Sequence, residues 1–320
     1  MGALMRTIDW SQTPVGPLES WPQSLRTALS ILLEAQFPMY VAWGPEFTQF
    51  YNDGYRPILG STKHPAAMGR STRATFAEIW TIIGPMFEGV MRGKAVGFTD
   101  YMLPLDRHGF VEECYFIFSY SPIRDESGGV GGVLVTVTET TERVYGERRL
   151  QTLREVGERT AEAREGGEAC RRAAEVLGRN TADLPFSLVY LVDGPEGEAR
   201  LCSRSGAMPA AAAPDTIAPA VSAPASWPIA SVLAGGGASL VEDIERRFGP
   251  FPPSASDGPL TASPQRALVL PIGRAGDPRP AGVFVAGISP HQNLDAKYRS
   301  FLELVSTQIA TAVALSLIHI

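Results

Sequence analysis

Apolar positions recur along this chain with two different periods, and the change from one to the other marks out its elements. Leu25, Leu29, Leu32 and Leu33 recur at steps of three and four, which predicts a helix with its apolar face toward a core. Ser20 is placed to cap it, Pro22 suits its first turn, and Phe37-Pro38 ends it. Met39–Trp43 and Phe47–Tyr51 read as short strands around Gly44-Pro45, with Asn52-Asp53-Gly54 closing the hairpin. Tyr55–Leu59 reads as helical and His64-Pro65 as a turn. Ala77–Met91 reads as a helix with Ile79, Ile83, Phe87 and Val90 on one side, kinked or broken at Gly84-Pro85. The period then falls to two. Cys114, Phe116, Phe118 and Tyr120 alternate with Tyr115, Ile117 and Ser119, and Val133, Val135 and Val137 repeat the pattern after a turn rich in Asp125, Gly128 and Gly129. Gly97–Leu105 is a weaker third strand.

Thr138–Arg164 is the one long charged helical run. Thr141 is its N-cap donor, and Glu142 suits the positive end of a helix. Leu150, Leu153, Val156 and Thr160 draw a narrow apolar stripe along it. Two readings stay open, an amphipathic helix packed on its own domain and a parallel dimer seam. In both it is the mechanical link between two domains.

The second half continues on the same helical rod. Cys170, Ala173, Ala174 and Leu177 form a small-residue face stopped by Gly178. Phe186–Val192 and Ala199–Cys202 read as strands joined at Asp193-Gly194. Residues 207–226, mostly Ala and Pro, read as a surface excursion. Trp227–Leu233 is a short helix, Ser239–Ile244 a strand and Phe248–Gln265 a loop. Ala267–Ile272 and Val283–Ile288 are the most hydrophobic strands, joined by Arg274–Ala281. A last helix starts at Asn293 or Asp295 and buries Tyr298, Phe301, Leu302, Val305, Ile309 and Val313.

A chain of 320 residues that is 44% hydrophobic favours two domains over one. A net charge of -6 with no basic block argues against nucleic acid or an anionic membrane as partner. Cys114, Cys170 and Cys202 are far apart in sequence and make neither a disulfide framework nor a zinc cluster, a usage that fits a reducing cytosol. No apolar run is long enough to span a bilayer. A cytoplasmic protein without metal is the expectation.

The element order of the first half resembles a PAS domain, and the likeness is carried by Asp9-Trp10-Ser11, Trp21-Pro22-Gln23-Ser24-Leu25, Trp43-Gly44-Pro45-Glu46, Phe50-Tyr51-Asn52-Asp53, Lys63-His64-Pro65 and Phe118–Asp125. As a set these are similar to the N-terminal PAS region of bacterial PAS–GAF hybrid sensor histidine kinases. PAS domains commonly end in Asp-x-Thr, the acid and hydroxyl tying the last strand to the outgoing helix, and here Glu139 and Thr141 stand in those places. Helices at both ends of the second half resemble a GAF domain, with Pro185-Phe186, Leu268–Ile272, Ser289-Pro290, Leu294-Asp295, Tyr298-Arg299 and Gln308–Ala312 carrying the likeness.

The resemblance implies an α+β chain: an N-terminal extension over 1–20, a PAS domain over 21–140, a connector helix over 141–164 and a GAF domain over 165–315. Each domain would be an antiparallel sheet with helices. The tail 316–320 departs from the family, which continues into a charged segment before its output module, so a truncated or misjoined end is expected there. The implied function is a non-catalytic, homodimeric input module of a two-component sensor histidine kinase, relaying a signal through Glu139, Thr141, Leu150, Leu153 and Val156 to an output domain. An input to a phosphatase or nucleotide cyclase, and a PAS/GAF scaffold, remain the alternatives.

Catalytic chemistry is not visible. His64 and His108 lie in loop contexts, His291 precedes a helix and His319 is in the tail, none with the His-Glu setting of a phospho-accepting site. Gly128-Gly129 and Gly235-Gly236-Gly237 read as turns, not phosphate cradles. Haem at His64 or His108 is outweighed by their polar turns. Cys114 lacks the flavin-binding context of light-sensing relatives, Cys170 and Cys202 lack the adjacent His of bilin attachment, and the cyclic-nucleotide pattern of some GAF domains is missing. No cofactor is expected. Tyr40, Trp43, Phe50, Trp80, Phe116 and Phe118 face the centre of a PAS fold, where they line a pocket for an unidentified small ligand or simply pack the core.

Overall fold

The computed structural model describes residues 1–193, 197–218, 226–253, 259–274 and 277–318. They divide into two units, Met1–Val144 and Tyr145–Ile320.

In the first unit, after a short α1 (Gly2–Arg6), α2 spans Gln23–Glu34 and buries Leu25, Leu29 and Leu32, as the periodicity requires. Leu33 is instead exposed, one step round the helix from that face. Ser20 does not cap α2. Its hydroxyl closes a 3-10 turn on Pro17, and Pro22 occupies the N-cap. Strands β1 (Met39–Trp43), β2 (Thr48–Tyr51), β3 (Val96–Asp106), β4 (Val111–Arg124) and β5 (Val130–Glu139) form an antiparallel sheet in the order β2-β1-β5-β4-β3. Between β2 and β3 lie α3 (Arg56–Lys63), α4 (Thr72–Thr75) and α5 (Trp80–Met91). The alternation in β4 places Cys114, Phe116, Phe118 and Tyr120 in the core and leaves Ile117 exposed.

Helix α5 starts only at Trp80 and runs unbroken through Pro85. Pro85 removes one hydrogen bond, to the carbonyl of exposed Thr81, which water reaches, whereas Ile83, Phe87 and Val90 are all buried. Their packing outweighs the missing bond.

Asn52 is the unit's polar hub. Its Nδ2 donates to the carbonyls of Ala35 (2.9 Å) and Phe37 (2.8 Å), and its Oδ1 accepts from the backbone N–H of Met39 and of Tyr55, both at 3.1 Å. One buried side chain thus satisfies four backbone groups where α2 ends, β1 begins and the chain leaves β2.

Helix α6 runs from Thr141 to Thr160, four residues short of Arg164, and α7 (Gly166–Leu177) is a separate helix after a turn. The continuous rod is thus interrupted where Gly166 and Gly167, poor in helix propensity, precede the buried face Ala169, Cys170, Ala173, Ala174 and Leu177.

The second unit adds β6 (Phe186–Asp193), β7 (Glu198–Gly206), β8 (Thr216–Ile217), α8 (Ile229–Ser231), β9 (Ser239–Val241), α9 (Ile244–Phe248), β10 (Ala267–Arg274), β11 (Asp277–Gly287) and α10 (Ala296–Ile318). Its antiparallel sheet has the order β8-β7-β6-β11-β10-β9. Both faces are buried, which explains the near-continuous apolar runs of the central strands. Val189, Leu268, Leu270, Phe284 and Ala286 pack with Val156, Leu177, Tyr298 and Val305. Leu188, Tyr190, Val269, Val283 and Val285 pack with Trp227, Ile229, Ile244 and Phe248.

The Ala/Pro segment is therefore not a surface excursion in its described part. Ala212, Ala213 and Ile217 are buried, and Trp227 donates from Nε1 to the Ala212 carbonyl at 2.7 Å. Small side chains let this segment lie close on the sheet and cover its second face. The strand expected to reach Ile244 stops at Val241, and α9 covers Ile244–Phe248, where that strand was expected to end and the following loop to begin. Helix α10 begins after Asp295, whose Oδ1 accepts the Tyr298 N–H at 2.8 Å, and continues through Ile318. Gly194, residues 219–225 and 254–258, and His319 with the end of the tail lie outside the described residues.

Candidate functional site

Strand β5 ends at Glu139 and α6 begins two residues later at Thr141, so these two residues flank the strand-to-helix junction. The Glu139 carboxylate accepts from both Nη1 and Nη2 of Arg107, each at 2.8 Å, and from the Thr141 hydroxyl at 2.8 Å. Thr141 Oγ1 in turn accepts the Tyr115 N–H at 3.0 Å, and the Tyr115 carbonyl accepts the Thr140 N–H at 2.8 Å. The side chain one methylene longer than Asp reaches a bidentate arginine, the strongest geometry for such a pair. Arg107 is itself buried, and its Nε donates to buried Glu112 at 3.0 Å, while His108 Nδ1 meets the other Glu112 oxygen. Burial raises the Glu139 pKa, but the hydrogen bonds and charge of Arg107 outweigh it, and the carboxyl titrates below its ordinary range.

The chain holds Arg107 from the other side as well. Its carbonyl accepts the N–H groups of Ser61 (3.0 Å) and Thr62 (3.4 Å). Gly60 adopts φ +62 there, and a Cβ on it would lie 2.2 Å from the Arg107 carbonyl oxygen, so only glycine fits. His64 and His108, distant in sequence, line one open cleft with Arg56, Arg107 and Glu139. Tyr51 Oη and His64 Nδ1 are 2.9 Å apart. Both histidines thus have protein partners, and His108 is also exposed in the β3–β4 turn, as its polar context implies.

The six aromatic candidates do not form one pocket. Tyr40, Phe116 and Phe118 line a cavity with Tyr55, Tyr120, Leu103 and Val135. It measures about 30 Å³, room for about two water molecules, whereas small-molecule sites begin at roughly 300 Å³. Phe50 packs elsewhere, stacked on Trp10 at 4.8 Å and edge-on to Trp21 at 5.4 Å, because the N-terminal segment docks there through Trp10. Trp43 fills the space left by Gly131 and Gly132, and half-buried Trp80 lies against Phe47 and Phe87 beneath Arg73. Burial pushes the Tyr40 and Tyr55 phenols well up, Tyr120 likewise, and the Cys114 thiol up to about 12. Cys114 is an inert core thiol.

In the second unit α6 is fastened by Asp183, a residue sequence reasoning passed over. Its fully buried carboxylate accepts from Arg148 Nε (2.8 Å) and Nη2 (3.0 Å), Arg149 Nε (3.3 Å) and Asn180 Nδ2 (2.9 Å). Asn180 Oδ1 accepts the Asp183 N–H, and that Asn-x-x-Asp turn was the available signal. Of the apolar stripe, Val156 and Thr160 are buried, Leu153 packs at the edge of the same core, and Leu150 is 69% exposed. The stripe therefore divides: its later half packs on its own unit, and Leu150 does not.

Cys170 and Cys202, 32 positions apart, are neighbours in the same core. Among the described residues no group of three or more His, Cys, Asp or Glu side chains could hold a metal ion, and no helix is long and apolar enough to cross a membrane.

Comparison with known proteins agrees with these two architectures. The model for the PAS fold matches residues 49–145, and that for the GAF domain matches residues 167–314. Curated proteins gave no match. Among solved structures, the GAF domain of an Acinetobacter phosphoenolpyruvate-protein phosphotransferase is 14% identical with a TM-score of 0.38, covering 53% of this chain and 94% of that one. The free methionine-R-sulfoxide reductase of Neisseria meningitidis, in complex with its substrate, is 17% identical with a TM-score of 0.39, covering 54% and 92%. The GAF domain of a Coxiella burnetii phosphoenolpyruvate-protein phosphotransferase is 15% identical with a TM-score of 0.39, covering 54% and 96%. The chain thus carries, in tandem, a PAS fold and a GAF domain.

Proposed function

We propose that this chain is the signal-sensing input region of a bacterial sensor histidine kinase, acting as a cytoplasmic homodimer and passing its signal to a kinase output domain of the full-length protein. The observation that carries this reading is the Glu139 network. A single carboxylate at the end of β5 binds both the Arg107 guanidinium, on the β3–β4 turn, and the hydroxyl of the first residue of α6. Any signal that moves β3 or β4 against β5 changes the partners of Glu139 and so the start of α6. Two arrangements separated by a few kcal/mol, biased by a ligand or partner, are enough for such a relay.

Signal input is assigned to the aromatic cavity between Tyr40, Tyr55 and Tyr120, which an unidentified small ligand would have to enlarge. Homodimerisation is assigned to the exposed apolar residues of the GAF helices, Leu150 on α6 with Leu304 and Leu315 on α10.

The test is to join the chain to the catalytic core of a histidine kinase and follow autophosphorylation. Glu139→Gln and Arg107→Lys, which keeps a cation beside Glu112 but loses the two-pronged bond to Glu139, should each shift basal output in the same direction by several-fold while the PAS core stays folded. Output indifferent to both substitutions, or a strictly monomeric chain, would overturn the reading and favour a scaffold.

A further inference from the structure

Cys202 sits at a β-bulge. In the pairing of β6 with β7, Val189 stands opposite Ser203 and Tyr190 opposite Leu201, so Cys202 is the extra residue between them. A bulge of this kind leaves the extra residue without a partner in the ladder. Leu201 packs into the core on one face of the sheet, and Cys202 packs into the other, which holds Cys170. Helix α7 supplies the facing surface. The Cys202 sulfur lies 3.7 Å from where a Cβ on Gly167 would stand, and Gly167 and Cys170 are i and i+3 on one helix face. Strand β7 thus presents one thiol to the first turns of α7, beside a second thiol. Both are free.

The two sulfurs have unequal surroundings. Cys170 is fully buried, whereas Cys202 is partly exposed, next to the N-terminal turn of a 12-residue helix and to Arg171. The hydrogen bond between the two cysteine side chains, with help from Arg171, brings the Cys202 thiol down to about 7 against the opposing effect of burial. The same bond and its burial push Cys170 up. One thiol is accessible and readily ionised; its neighbour is protonated and shielded.

We propose that Cys170 and Cys202 are a peroxide-oxidised site of the GAF domain, closing a reversible disulfide in which Cys202 reacts first and Cys170 resolves it. The Cys202 thiolate attacks one oxygen of hydrogen peroxide. An S–O bond forms, the O–O bond breaks, and the departing hydroxide takes up the proton that the thiol had released, giving water and a sulfenic acid. The Cys170 sulfur then attacks the Cys202 sulfur. An S–S bond forms, the S–O bond breaks, and the second hydroxide leaves as water with the Cys170 proton. Two thiols lose two electrons and the peroxide becomes two waters. Closure would tie the first turns of α7 to β7.

The full chain, reduced and then treated with hydrogen peroxide, is alkylated, digested and read by mass spectrometry without reductant. Expected is a Cys170 peptide joined to a Cys202 peptide, separated again by dithiothreitol, with Cys114 still alkylated. Cys202 should be lost to alkylation roughly tenfold or more faster than Cys114, following their thiolate fractions. In Cys170→Ser, dimedone should label Cys202; in Cys202→Ser, Cys170 should stay unlabelled. The wild-type peptide map needs no variant to fold. Full alkylation of both cysteines after peroxide, a Cys202-to-Cys202 link between two chains, or dimedone on Cys170 in Cys202→Ser would each overturn the proposal.

Discussion

Arg148 of α6 donates from Nε and Nη2, at 2.8 and 3.0 Å, to the two carboxylate oxygens of Asp183, a residue with no exposed surface. Arg149 and Asn180 complete the site. Removing one member of a buried charge pair strands the others, at a typical cost of about 3–5 kcal/mol. Asp183→Ala should therefore lower the stability of the GAF domain by about 3 kcal/mol or more, while leaving the PAS core unchanged. Hydrogen exchange of the full chain checks this: protection should fall across Phe186–Asp193 and hold across Met39–Trp43.

The same carboxylate makes the GAF domain sensitive to acid. Burial raises the Asp183 pKa, but the hydrogen bonds and charges of Arg148 and Arg149 more than compensate, and its folded-state value is depressed. The unfolded chain therefore binds more protons than the folded one between the two pKa values, so stability rises with pH there. The contribution is complete above the unfolded value of about 4, and is lost as pH falls through the depressed folded one. Denaturant midpoints of the wild type should drop below pH 4, and those of Asp183→Ala should drop less.

Asn52→Ala removes four hydrogen bonds to backbone groups at once. Buried backbone donors and acceptors left without partners cost about 1–3 kcal/mol each when water cannot reach them. A loss of about 3 kcal/mol in the PAS core is expected, with Asn52→Asp recovering part of it because Oδ1 still accepts from Met39 and Tyr55. Thermal unfolding followed by tryptophan emission reports it, since Trp10, Trp21, Trp43 and Trp80 all lie in this unit. An unchanged transition would mean that water replaces the amide.

Strong periodicity made much of this fold legible. Cys114 to Tyr120, Leu25 to Leu32 and Tyr298 to Val313 each repeat a pattern that only one element and one buried face satisfy. The contact between Glu139 and Thr141 was legible too, because they stand where the Asp-x-Thr motif of PAS domains ties the last strand to the outgoing helix. Its partners were not. Arg107 and Glu112 lie in a polar turn with no periodic signal, and their role exists only once β3 and β4 bring them beside β5. The Ala/Pro segment was misread because small residues carry little hydrophobic signal yet fit closely against a sheet. Cys170 and Cys202 met only once α7 packed on the face of β7 that carries Cys202, and a contact between positions so far apart leaves no mark in composition. Trp43 and Phe50 were placed at the cavity as bulky residues on strands that face the centre of a PAS fold; Gly132 and Trp10 decided where they pack.

Leu150 and Val156 separate the two roles of α6. Val156 is fully buried in the GAF core, so Val156→Ala loses contacts and leaves a small void, at a cost of about 1–2 kcal/mol by the usual scale for buried methyl groups. Leu150 is 69% exposed, so Leu150→Glu loses almost no burial and should leave GAF stability within about 0.5 kcal/mol. If Leu150 belongs to the proposed dimer seam, that substitution places a charge from each chain in an apolar contact, and light scattering should show a monomer where the wild type is a dimer. Val156→Ala should do the reverse, weakening the fold while keeping the dimer. A Leu150→Glu chain of unchanged mass would remove α6 from the interface and leave Leu304 and Leu315 of α10 as the apolar surface to test next.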